Sequence, residues 1–173
     1  MHKHHEAEVD VRVGIVSVSS SKRLKHGELR GINYIPQDDE SARTAVEELN
    51  FDVVEYVLVG DDEAAISKAV LELSWDCNAI ITIGGTGITP KDVTVEAIKP
   101  LVKKELEGFG EIFRYESYKE IGPHAMLSRA FAGIIKNGTA VFCLPGSKNA
   151  VKLGIRLINP VLKHVISHSL GLR

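Results

Sequence analysis

The feature that most constrains this chain is a repeated exchange of short apolar, β-branched runs for helical patterns. Val11–Val18 begins as an alternation and becomes largely apolar, and Phe51–Val59 and Ala79–Ile83 are further runs of this kind. Such runs read as strands of a buried sheet. Between them, Asp38–Leu49 places Ala42, Ala45, Val46 and Leu49 on one helical face, with acidic residues in the first turn. The segment after Asp62 does the same with Ala65, Ile66, Ala69, Val70 and Leu73. Strands alternating with helices of this length predict βαβ units, hence a parallel sheet covered by helices on both faces.

The second half changes pattern. Thr94–Lys104 reads as a helix that Pro100 breaks or kinks. Gly108-Phe109-Gly110-Glu111 opens a helix running towards Lys119, Gly122-Pro123 marks a turn, and His124–Arg129 reads as a short helical piece. Phe131–Ile135 and Thr139–Leu144 flank Asn137-Gly138, a strong hairpin signal. Pro160 divides the last apolar segment into two helices, and Ser19–Pro36, polar and basic, reads as a long loop. The expected fold is a three-layer α/β/α domain, its sheet mostly parallel with one antiparallel strand. Residues 1–10 are expected to form a flexible tail and residues 11–173 a single domain, as the length of 173 residues allows.

Composition narrows the function. Hydrophobic residues make up 44% and charged residues 25%, with a net charge of −2 and a pI near 6.4. A general nucleic-acid surface needs a basic excess, so none is expected. Any anionic ligand must then be held by local features. Cys77 and Cys143 lie apart in apolar surroundings and read as core residues in a reducing compartment. No apolar run has the length of a membrane span or the core of a signal peptide, so the cytoplasm is the expected location. His2, His4 and His5 precede the first strand and read as tail residues rather than metal ligands.

Ligands of open α/β sheets bind outside the carboxyl ends of the strands. The candidate loops there are Ser19–Ser21, Gly60–Asp62, Gly84–Asp92 and Pro145–Asn149. Gly84-Gly85-Thr86-Gly87 follows a strand directly, and such glycines let the backbone turn tightly and aim bare amides at an anion. The loop matches neither standard phosphate-loop pattern, and a glycine turn without a ligand is the alternative. Asp62 and Asp92 supply carboxylates suited to a divalent ion, or to capping the helices that follow them. Ser19, Ser20, Thr86 and Ser147 supply hydroxyls, and Lys91 and Lys148 lie within reach of a bound phosphate.

Four blocks carry a family resemblance: Gly84 to Thr94 (Gly-Gly-Thr-Gly-Ile-Thr-Pro-Lys-Asp-Val-Thr), Gly108-Phe109-Gly110-Glu111, Leu127-Ser128-Arg129 and Leu144-Pro145-Gly146-Ser147. Their order and spacing resemble those of the MogA/MoaB family of molybdenum-cofactor biosynthesis proteins, over about Val11 to Leu170. The resemblance implies a molybdopterin-binding domain that uses ATP and Mg²⁺ to adenylylate molybdopterin, releasing pyrophosphate. A non-catalytic molybdopterin-binding module or a scaffold subunit are the alternatives. By resemblance, Asp62 and Asp92 are the catalytic, metal-holding carboxylates. Ser19, Ser20, Gly84, Gly85, Thr86, Gly87, Lys91, Glu111, Ser128, Arg129, Pro145, Gly146 and Ser147 then bind nucleotide or pterin. The implied partners are further copies of the chain, as a trimer or hexamer, and a downstream molybdate-inserting protein. Two departures from the family pattern stand out. Ser19-Ser20-Ser21 lacks the aspartate that often follows the first strand, and Lys148-Asn149 stands where proline often continues the last motif.

Overall fold

The computed structural model describes residues 8–172; the tail histidines lie outside them. Seven strands form one sheet: β1 (Arg12–Val18), β2 (Leu29–Arg30), β3 (Asp52–Val59), β4 (Ala79–Ile83), β5 (Val102–Glu105), β6 (Phe131–Ile135) and β7 (Ala140–Leu144). Their spatial order is β2-β3-β1-β4-β7-β6-β5. The central strands β3, β1, β4 and β7 are parallel. The strands β2 and β6 run against them, so the sheet holds one more antiparallel strand than the hairpin signal gave.

Period-two alternation decides what each face buries. Ile15, Ile81, Phe142 and Leu144 point to a layer made by α2 (Glu40–Glu48), α5 (Glu107–Ile121), α6 (Lys148–Ile158) and α7 (Leu162–Ser169). Val16, Ile80, Val141 and Cys143 point to the opposite layer, made by α3 (Glu63–Leu73) and α4 (Thr94–Ile98). The three-layer α/β/α arrangement is as expected. Burial pushes the Cys143 thiol up to about 12 and the Cys77 thiol up to about 11, so both stay protonated core residues. No helix among the described residues is long and apolar enough to cross a membrane.

Two segments differ from the sequence reading. The expected loop Ser19–Pro36 contains a helix, α1 (Ser20–His26), followed by β2 and a short 3₁₀ turn at Ile32–Tyr34. None of the α1 residues is buried, so the helix has no apolar stripe to reveal it; Ser19 caps it instead, accepting from the Lys22 amide at 3.2 Å. The last turn of α1 is pinned by Asp38, which accepts from Lys25 at 2.9 Å and meets His26 at 2.7 Å. The hydrogen bond from Lys25, with that of His26, holds the Asp38 carboxyl down to about 2. The expected helix Thr94–Lys104 stops at Ile98, tightens into a 3₁₀ turn through Pro100, and becomes β5. Only pairing with β6 makes Val102–Glu105 a strand.

A buried polar pair fixes α2 to the sheet. Asp39, 1% exposed, caps α2 through the Ala42 amide at 3.2 Å and accepts from the Tyr56 hydroxyl at 2.8 Å. Burial, together with the neighbouring Asp39 carboxylate, raises the Tyr56 pKa well above its ordinary value of 10.0. The native state therefore keeps this phenol neutral while the unfolded chain ionises it, so its contribution is complete below pH 10 and fades as pH rises above it. Tyr56→Phe is expected to cost about 2 kcal/mol, because a buried carboxylate loses a donor. It should also flatten the alkaline loss of stability; urea unfolding at pH 7 and above pH 10 checks both.

Candidate functional site

Parallel neighbours end at the same edge of the sheet. In spatial order the carboxyl ends of β3, β1, β4 and β7 therefore set Asp61-Asp62, Ser19-Ser20, Gly84–Asp92 and Pro145–Ser147 side by side. From β1 the chain moves to β3 on one side and to β4 on the other, which opens a crevice beyond the central strands. Cross-links hold the four loops together. The Ser19 amide donates to the Val59 carbonyl at 2.9 Å and the Gly84 amide to the Leu144 carbonyl at 2.9 Å. The Ser41 hydroxyl of α2 donates to the Gly146 carbonyl at 2.6 Å.

The glycine loop is braced from behind. Gly84 and Gly85 have φ of +104° and +74°, where a side chain is strained. A Cβ on Gly84 would lie 2.4 Å from the Val18 carbonyl oxygen, and one on Gly85 would lie 2.2 Å from Thr94 Oγ1. Thr94 donates from Oγ1 to the Gly84 carbonyl at 2.8 Å and from its amide to the Gly85 carbonyl at 3.1 Å. Arg129 donates from its amide to the Thr86 carbonyl at 2.9 Å and from Nε to the Gly87 carbonyl at 2.9 Å. Its guanidinium also reaches the Asp92 carbonyl at 3.1 Å and pairs with Glu96.

The consequence is an anion cradle. Successive carbonyls from Gly84 to Gly87 are all occupied by the scaffold, whereas the amides of residues 85–88 donate to no protein group among the described residues. The amides of Gly146 and Ser147 are likewise without a protein acceptor there. Consecutive unpartnered amides at the end of a buried strand are what a phosphate requires.

The carboxylates are each half used. Asp92 Oδ2 accepts from the Thr89 amide at 2.9 Å and its hydroxyl at 2.8 Å, leaving Oδ1 without a hydrogen bond among the described residues. Asp62 Oδ1 caps α3 through the Ala65 amide at 2.8 Å, and Oδ2 has no such bond. Asp61, in the same candidate loop, is the carboxylate that faces the β1 loop. It accepts from the Ser20 amide at 3.0 Å and hydroxyl at 2.7 Å, and its own amide donates back to Ser20 Oγ at 2.9 Å. Neighbouring aspartates look alike in sequence; the bonds from Ser20 to Asp61 and from the Ala65 amide to Asp62 tell them apart in the structure. No group of three or more His, Cys, Asp or Glu side chains among the described residues is placed to hold a metal. Each of these two aspartates, Asp62 and Asp92, keeps one carboxylate oxygen open, the kind of donor that Mg²⁺ takes in ones and twos beside substrate phosphates.

Several expected site residues have structural duties. Ser19 caps α1, and Ser20 is spent on Asp61. Ser147 caps α6 through the Ala150 amide at 3.2 Å, and Ser128 Oγ accepts from the Ala130 amide at 3.3 Å. Lys91, Glu111 and Lys148 are exposed, Thr86 is buried, and Pro145 is half-buried. Arg129 shapes the cradle rather than extending a free charge into it. Arg129→Ala is expected to cost about 2 kcal/mol, because it strands two loop carbonyls and Glu96. It should also weaken anion binding at the loop; thermal unfolding and calorimetry with ATP measure the two effects. Thr94 and Ser41 were missed as site supports, since a threonine or serine hydroxyl leaves no signal until its carbonyl partner is placed.

Residues 28–164 match the family model described as a probable molybdopterin binding domain. The chain is 39% identical to molybdenum cofactor biosynthesis protein B of Staphylococcus carnosus, over 95% of this chain and 94% of that protein. It is 42% identical to the protein of that name from Staphylococcus epidermidis, over 96% and 95%. The chain belongs to the MogA/MoaB family. Within that family, the tungsten cofactor synthesizing protein MoaB of Pyrococcus furiosus superposes with a TM-score of 0.82 at 38% identity, covering 95% of this chain and 99% of that one. A Mog protein from Mycobacterium ulcerans, 23% identical with a TM-score of 0.75, shares the fold. The blocks that carry the family pattern are the loops at the mouth of the sheet, together with Arg129 and the start of α5.

Proposed function

We propose that this MogA/MoaB-family protein acts in molybdenum-cofactor biosynthesis by adenylylating molybdopterin. An oxygen of the molybdopterin phosphate attacks the α-phosphorus of ATP, the bond from that phosphorus to the β-phosphate oxygen breaks, and pyrophosphate leaves. The nucleophile is already ionised, so alignment and charge neutralisation suffice and no strong general base is required. The observation that carries this reading is the row of unpartnered amides at residues 85–88 beside those of Gly146 and Ser147. Two anionic groups can be held there in one crevice. Bound Mg²⁺ supplies electrostatic stabilisation of phosphate charge, with Asp62 and Asp92 as its protein ligands. The rigid backing from Thr94 and Arg129 keeps the amides aimed without reorganisation when charge shifts between phosphates.

A second reading is a module that holds molybdopterin without transfer. It is favoured by the absence, among the described residues, of a group of three His, Cys, Asp or Glu side chains placed to hold a metal, and by the cap that occupies half of Asp62. Incubation with molybdopterin, ATP and Mg²⁺ separates the two. Equal amounts of adenylyl-molybdopterin and pyrophosphate are expected; retention of molybdopterin with neither product overturns transfer and leaves the binder.

The proposal includes assembly as a trimer or hexamer and transfer of product to a molybdate-inserting partner. Ile112, Tyr115, Tyr118 and Ile121 wind along the exposed side of α5, and Met126 and Leu127 follow in the turn after it, with exposures of 45–73%. Such a face favours covering by other copies. Light scattering is expected to give three or six times the chain mass of 18.9 kDa. A monomer at micromolar concentration refutes the assembly.

A further inference from the structure

At the opposite end of the parallel strands, the free edge of the sheet is flanked by a groove on each face. The edge strand is β5, paired on one side only, with β6. One groove, of about 610 Å³, lies on the α3 side and is lined by Leu71, Trp75 and Leu101. The other, of about 600 Å³, lies on the α7 side and is lined by Leu106, Val165 and His168. Lys103, Ile135 and Lys136 line both, so the two grooves meet across the edge. Trp75 is 86% exposed and Leu71 45% exposed, an unusual placement for a large indole. Lys103, Lys104 and Lys136 are exposed, and none lies within ion-pair distance of a carboxylate among the described residues.

We infer that this edge is a strand-addition site for an extended acidic segment of a partner protein. A peptide that continues the sheet places successive side chains on alternate faces, which is the arrangement two grooves at one edge accommodate. The α3-side groove takes apolar side chains against Trp75 and Leu71. Lys104, which lines only the α7-side groove, selects acidic side chains on that face, with Lys103 and Lys136 at the edge between the two grooves. A second copy of the chain is a poor occupant. Antiparallel pairing of Val102-Lys103-Lys104-Glu105 with itself sets Lys103 opposite Lys104, and like charges facing across a ladder repel.

Trp75 is the sole tryptophan of the chain, so its fluorescence reports on the groove directly. The probe is a synthetic peptide of about seven residues, a usual strand length, alternating glutamate with leucine or valine. It is titrated into the full chain. A saturable blue shift of Trp75 emission is expected. Lys104→Glu with Lys136→Glu, both exposed positions, should weaken binding by roughly tenfold, with unfolding unchanged. Proline at the central apolar position, which removes a ladder donor, should abolish the shift. No change in emission up to about 1 mM peptide overturns the inference. So does equal binding of the proline peptide, displacement by polyphosphate or single-stranded DNA, or a blue shift on concentrating the chain alone.

Discussion

Gly84→Ala is expected to lower the free energy of unfolding by about 3 kcal/mol or more. The position combines φ of +104° with an added Cβ that would sit 2.4 Å from the Val18 carbonyl oxygen. Val18 cannot retreat. It is the last residue of β1, which is paired with β3 on one side and β4 on the other. Gly146→Ala is the control. Its Cβ would meet Gly84 Cα at 3.5 Å, an ordinary contact, and its φ is not positive. That variant should unfold within about 0.5 kcal/mol of the parent. Urea denaturation of the pair decides the matter, and a Gly84→Ala protein of parental stability would show that the loop can reshape itself. A larger residue at Gly85 acts through the scaffold, because its Cβ would lie 2.2 Å from Thr94 Oγ1. Its side chain strikes Thr94 before it could occupy any ligand space, so lost binding would follow from a broken scaffold.

Asp92→Asn is expected to slow adenylyl transfer by about a hundredfold, or roughly 2.7 kcal/mol of barrier, with unfolding unchanged. The substitution is clean because of how Asp92 is used. Its Oδ2 accepts two hydrogen bonds from Thr89, and an asparagine carbonyl oxygen accepts the same two. What disappears is the charge, not the shape of the loop. Single-turnover measurements at saturating Mg²⁺ test it. Transfer within about twofold of the parent would remove Asp92 from the proposed metal shell. Asp62→Asn keeps the cap on Ala65 in the same way and offers a matching test of the second carboxylate.

Local chemistry was legible along the chain. Apolar, β-branched runs located β1, β3 and β4, and Asn137-Gly138 located the β6–β7 turn, where Gly138 has φ of +86°. The glycine run announced a strand end with bare amides, since no other residue adopts those angles cheaply. Where the local signal was weak, reading failed. Helix α1 buries nothing and β5 is four residues long with two lysines and a glutamate, so neither carries a periodicity. Each exists because a tertiary partner holds it: the Ser19 cap and Asp38 for α1, β6 for β5.

The sequence alone thus determined which segments become strands and helices, and which loops could hold phosphate, because those properties depend on residues within a few positions of one another. It could not determine the order β3-β1-β4-β7 that sets four distant loops at one mouth. Nor could it distinguish Asp61 from Asp62, or assign Thr94 and Arg129 to hold the loop carbonyls so that the amides face outward. Those outcomes depend on hydrogen bonds between groups separated by up to about sixty positions, and such partners meet only when the hydrophobic layers have packed.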